Sequence, residues 1–454
     1  MNASRKPARV SSQRAMGFLL AAVPLGILIG LWIENAVNVP YWDEWAFIPL
    51  LQKLNSSGVA FSDLWAQHNE HRIFLPRTIM LAMGSLTHWD VRYEMAASLA
   101  LAVGIFSLLF LLLSRTFEKR RYPFGIAGLV LGLAIFSPAG YENWLWGWQI
   151  QWYLNVLALV AVVVLLSSKL GERLPFVAMS LAALGAVFGT LSLASGNFIW
   201  VAAAPMILFQ RHLRRYAWLF FGIGMISVGT YLRGYHQTNS SSGVDYLLHH
   251  GGDLMSFIVQ YLGRPFSSSL GVATVAGSIL LATFIVVLLI LIVGQRDQFA
   301  RWGPWMCIAM YVGIADLSTG VGRLTLGGYP GLSSRYTSIS ALMIPSVVAC
   351  LSVLLESFKR TRGVTAHVLL WGLVGFGLLT SYRASIGDFE LRGEQMGLIK
   401  ECVESASFEG VRCLRQAYPD EHTVYWRGRY LMQIGWGGFE MSTRVPGPRV
   451  SRTP

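Results

Sequence analysis

The chain has 454 residues, 54% of them hydrophobic and only 13% charged, and its mean hydropathy is +0.49. That balance excludes a soluble globular domain and makes this a polytopic membrane protein with the lipid bilayer as its first partner. The net charge of +12 sits in short loops beside apolar stretches and forms no continuous basic face, so no nucleic-acid partner is expected.

The first apolar run, Met16 to Ile33, is too long for a signal-peptide core and lacks a small-residue cleavage site, so it is expected to stay as a span. Arg5, Lys6, Arg9 and Arg14 ahead of it should hold the N-terminus in the cytoplasm. Windows of about 19 residues predict about eleven spans in all. They lie near 16–33, 92–113, 123–138, 153–168, 174–193, 198–210, 216–232, 272–294, 303–319, 337–355 and 364–382, the weakest being the two halves around Gly196-Asn197. Basic clusters such as Arg115/Lys119/Arg120/Arg121, Arg211/Arg214/Arg215 and Lys359/Arg360/Arg362 recur on the N-terminal side. All acids except Glu118, Glu172, Asp297 and Glu356 fall on the opposite side or at its boundary. This asymmetry places the C-terminus outside.

The first outer loop, 34–91, is longer than a connection requires, which points to function. It opens with "NVPYWDEWAF", where Asp43 and Glu44 stand between Trp42 and Trp45. Residues 43–54 suit a short interfacial helix, ended by "NSSG" at 55–58. A second juxtamembrane helix is expected from Ser62 or Asp63 and through 66–86, interrupted by Pro76 and Arg77. Carboxylates at a helix start can simply satisfy free N–H groups. Here the aromatic neighbours and the membrane boundary make an acid costly without a task. Adjacent helical residues diverge by about 100°, so one of the two acids should face a reaction centre.

Within "HNEHR", His68 and His71 share a face if the stretch is helical, and with Glu70 or Asp43 they are candidates for a divalent metal. Hydrogen bonding to a ligand is the competing role, with His71 and Arg72 preferred. Further along, "ENWLWGWQIQW" offers Glu142 and Asn143 as polar contacts, and Trp144, Trp146 or Trp148 either as an aromatic belt or as a platform for a sugar. Arg335 and Tyr336 in "SSRYTS", with Arg323 before them, suit either headgroup snorkelling or a fork onto phosphate. Residues 383–454 form a small outer tail. Its Cys402 and Cys413 can bridge only across a hairpin turning near Ser407 to Gly410, because on one helix they would stand roughly 16 Å apart. Cys307 and Cys350 lie inside spans as small core residues. No P-loop or dinucleotide-binding fingerprint occurs, and the cytoplasmic loops are too short for a nucleotide-binding domain.

A first span, a long outer loop opening on an acidic pair, juxtamembrane helices and a bundle of ten or more spans resemble the GT-C superfamily of membrane glycosyltransferases. "YWDEW", "LWAQHNEHRIFLPR", "ENWLWGWQIQW" and "SSRYTS" are also similar to a bacterial group of this type. The resemblance implies a GT-C-like transmembrane domain over 1–382. It also implies an inverting transferase of the bacterial inner membrane, with a periplasmic C-terminus. The donor would be a sugar on polyprenyl phosphate, and the acceptor a cell-envelope glycan or lipid. Asp43 would be the base, with Glu44 beside it. A flippase or transporter of lipid-linked glycans, or a non-catalytic assembly subunit, is the alternative.

Overall fold

A computed structural model of the chain describes residues 6–118, 122–236, 250–323, 330–356, 360–406 and 411–439. Among them all regular structure is helical, apart from one isolated bridge between His68 and His71. A helix satisfies its own N–H and C=O groups, which hydrocarbon cannot do for it. Among the described residues eight helices are long and apolar enough to cross a membrane, so this is an all-α, multi-pass membrane protein.

The helices α1 (Lys6–Asn35) and α5 (Arg92–Thr116) enclose the long first loop. Three other expected spans are present as shorter apolar helices, Pro175–Thr190, Ala194–Phe209 and Ala217–Leu232. Sixteen residues rise only about 24 Å against roughly 30 Å of hydrocarbon. The middle one is interrupted, with a 3-10 turn over Ala194–Phe198 and Pro205 beyond it. Close helix contacts rest on small residues. A Cβ on Gly17 of α1, for example, would stand 2.5 Å from the carbonyl oxygen of Phe124. The expected basic residues Lys119, Arg120, Arg121 and Lys359 lie outside the described residues.

The first loop carries α2 (Asp43–Leu54), α3 (Phe61–Trp65) and α4 (Phe74–Thr87). The expected helix over 43–54 thus forms, and it is closed by the Asn55 N–H on the Leu51 carbonyl and the Ser56 and Gly58 N–H groups on the Lys53 carbonyl. The expected second helix is instead two. Its chain leaves helical geometry at Ala66 and resumes at Phe74, so Pro76 sits in the first turn of α4, where its missing N–H has no partner to lose.

These loop helices have an apolar core of their own. Trp45, Phe47, Ile48 and Leu51 of α2 meet Met80 of α4, Trp146 and Trp148, and then Met396, Val403, Leu414 and Leu431 from the end of the chain. The helix Arg360–Ser405 runs 46 residues without a break, so residue 383, where the tail was expected to begin, lies inside it. Cys402 near its end is bonded to Cys413, with Cα atoms 6.1 Å apart; the expected turn at 407–410 falls outside the described residues. A 3-10 turn over Arg412–Gln416 and the helix Glu421–Ile434 follow among the described residues. Cys307 and Cys350 are free and buried.

Candidate functional site

At the end of the bundle that carries the first loop lies a cavity of about 600 Å³. It draws its lining from distant parts of the chain: Asp43, His68, His71, Arg323, Arg335 and Tyr336 all face it. Glu70 faces it too, with an oxygen 3.4 Å from the Arg323 guanidinium.

Asp43 is the first residue of α2, and its carboxylate lies near the positive end of that helix dipole. His68 Nε2 approaches Asp43 Oδ1 to 3.2 Å, but the imidazole is not aligned for a hydrogen bond, and Nε2 has no such partner among the described residues. Glu44 points the other way. It is 1% exposed, and its carboxylate accepts the N–H of Tyr41 at 2.7 Å and of Trp148 at 2.9 Å. Burial pushes Glu44 up to about 8, the two N–H donors oppose this, and the Asp43 charge adds to it. The acidic pair therefore divides into a cavity residue and a structural residue that ties the start of α2 to the Trp148 segment.

The "HNEHR" stretch is a turn and not a helix. His68 and His71 exchange backbone hydrogen bonds of 2.8 and 2.9 Å, and Asn69 at the tip has a φ of 49°, a left-handed conformation that Asn tolerates better than most residues. The two imidazoles consequently share no helix face. Among the described residues no three His, Cys, Asp or Glu side chains are grouped to hold a metal. His71 is half-buried, but its Nδ1 is sealed from solvent without a hydrogen-bond partner among the described residues. Burial lowers its pKa to about 4, so it meets the cavity as a neutral imidazole.

Three expected ligand contacts turn inward instead. Arg72 is 5% exposed, and its guanidinium donates to the carbonyls of Trp65, Tyr231 and Arg233 at 2.8–2.9 Å. It clamps the turn to a neighbouring helix end and has no reach into the cavity. Glu142 accepts from the Ser333 and Ser334 hydroxyls and from the Arg335 N–H, while Asn143 donates to the Arg335 carbonyl at 2.9 Å. The pair thereby fixes the backbone that presents Arg335. The Arg335 guanidinium lies 5.7 Å from the Tyr336 ring centre, and that ring stacks at 5.0 Å on Tyr261.

The tryptophans separate in the same way. Trp144 is a core residue bonded to the Ser137 carbonyl, whereas Trp146, Trp148 and Trp152 face the cavity. Sequence reasoning passed over Gln149 and Gln151, which line the cavity and each carry a buried amide oxygen without a partner among the described residues. Their signal was available, as two amides set among aromatics. Ser195, Ser318 and Thr319 add hydroxyls, and Ser195 is held by the Tyr311 hydroxyl at 3.0 Å. The chamber thus combines two carboxylates, two guanidiniums, ring faces and amide oxygens that have no partner among the described residues, a set suited to a hydroxyl-rich ligand that carries an anionic group.

No family model matches the chain, and neither a curated protein nor a solved structure shows detectable similarity to it.

Proposed function

We propose that the protein is a GT-C-type inverting glycosyltransferase that moves a sugar from a polyprenyl-phosphate carrier to a cell-envelope glycan or lipid on the outer face of the inner membrane. The observation that carries this reading is the convergence of Asp43, Arg323 and Arg335 on one cavity at the end of the bundle that carries the first loop. A lipid-borne donor keeps its chain in the bilayer and its phosphate at headgroup depth, so the anomeric carbon must react there. In the proposed step an acceptor hydroxyl gives its proton to Asp43 as its oxygen bonds to the anomeric carbon. The bond from that carbon to the phosphate oxygen breaks, and the leaving phosphate takes the electron pair beside Arg335. Trp148 and Trp152 offer ring faces, and Gln149 and Gln151 offer acceptors for sugar hydroxyls. The shorter apolar helices would complete a bundle of about eleven spans, with the N-terminus cytoplasmic and the C-terminus periplasmic.

The test is glycan mass spectrometry of membranes carrying the wild-type protein, Asp43→Asn or no protein. Asp43→Asn keeps size and most hydrogen bonding but removes the base, so the sugar should be lost and in vitro transfer should fall by roughly 10²-fold or more. Unchanged glycan with Asp43→Asn would end the catalytic reading. The second reading, a transporter of lipid-linked glycans, is favoured by Asp316, which is fully buried in a spanning helix with both oxygens unpartnered among the described residues. It would be supported by loss of glycan in Asp316→Asn together with normal glycan in Asp43→Asn.

A further inference from the structure

The backbone before Asp43 is strained. Trp42 has φ 46° and ψ −115°, a region that a residue with a Cβ occupies only under constraint and that glycine enters freely. The residue is itself exposed, so burial of its ring is not what holds it. Three bonds to the end of the chain surround it. The ring of Tyr41 lies 4.0 Å under the Arg392 guanidinium, the N–H of Trp42 donates to the carbonyl of Ala417 at 2.8 Å, and the carbonyl of Trp45 accepts from Arg427. Ala417 is fully buried and directly follows the 3-10 turn Arg412–Gln416, whose Cys413 is bonded to Cys402 on the long helix. Cys413 is exposed, so a soluble reductant can reach the bridge.

We infer that the disulfide-stapled tail is a positioning element for the site: through the Ala417 carbonyl it holds Trp42 in a left-handed conformation that aims Asp43 into the cavity. A functional site is where such strain is expected, over-determined by its surroundings. Without the staple, Trp42 relaxes towards negative φ, the chain entering α2 rotates, and Asp43 leaves its place while the membrane helices stay folded. Trp42 and Ala417 here act through Asp43 and touch no substrate. The inference rests on the proposed transferase activity only for its kinetic readout.

The experiment uses the full chain in detergent and two readouts, hydrogen–deuterium exchange of the 41–46 amides and transfer rate. A dithiol reductant, itself oxidised to its cyclic disulfide as two thiols form on Cys402 and Cys413, should strip protection from those amides and leave the spanning helices protected. The Cys402→Ser/Cys413→Ser variant should do the same, with transfer falling on the order of tenfold or more, the scale of a misplaced reacting group. Adding Trp42→Gly to that variant should recover part of the transfer rate, because glycine enters the conformation without a steric penalty, whereas Trp42→Ala should recover none. Undiminished protection after reduction overturns the inference, and so does equal rescue by Gly and Ala. Absence of transfer in the oxidised wild type overturns the transferase reading instead, and the exchange result still decides the positioning one.

Discussion

Asp43 and Glu44 share a charge and a motif, yet one faces a chamber and the other holds up its wall. Glu44 can serve as a wall because it keeps its proton. The unfolded carboxyl titrates near 4.5 and the folded one at about 8, so between these values only the folded state retains the proton. Glu44 therefore contributes stability that is full below about 4.5 and drains away as pH rises through 8. Glu44→Gln, neutral at every pH, should flatten this slope: the stability gap between variant and parent, read from unfolding midpoints at pH 5 and pH 8.5, should shift in favour of the variant at the higher pH. An identical pH profile for the two would show that Glu44 is ionised in the fold. The sequence revealed which residue types belong to the site but not which way they point. Arg72, Glu142 and Asn143 read as ligand contacts because their motifs are local, while the groups that engage them come from as far as 193 residues away. A buried carbonyl in need of a donor leaves no mark in the neighbouring sequence.

Among the elements, α2 was legible to its ends because everything that defines it is local: acids in the first turn, an apolar run, then Asn and Ser. The α3–α4 region was not, because its break is made by tertiary hydrogen bonds. The Arg77 guanidinium donates to the carbonyls of Asp63, Leu64 and Ala66, satisfying the frayed end of α3 from the body of α4. Arg72 does the same for the turn between them. Arg72→Lys keeps the charge but can serve at most one or two of the three carbonyls, so it should lower stability by about 2 kcal/mol or more, given roughly 1.5–3 kcal/mol for each charged hydrogen bond. A thermal midpoint equal to the parent's, combined with weakened binding of an isoprenoid phosphate, would return Arg72 to the ligand. The span pattern was legible wherever a helix was long enough to cross alone. It was least so at 194–209, where the chain turns within an apolar stretch.

For the molecule as a whole, the first loop and the described residues after 390 form one body, since a single apolar core joins α2 and α4 to Met396, Val403, Leu414 and Leu431. The charge asymmetry of the loops predicts that this body lies outside the cell membrane, so enzyme reporters that work only in the cytoplasm should be silent when fused at residues 60 and 400. Activity at both positions would reverse the orientation. A final consequence follows from the unbroken helix Arg360–Ser405. Its 46 residues have a contour of about 69 Å, against some 40–45 Å for a bilayer with its headgroups. One rod is thus embedded in lipid at its lower part and bears Arg392 and Cys402 at its upper part. It works as a ruler: the number of helical turns between its apolar stretch and Arg392 sets the height at which Tyr41 and Asp43 stand above the hydrocarbon. In a thinner or thicker membrane the rod must tilt, and the height of that carboxylate changes with it.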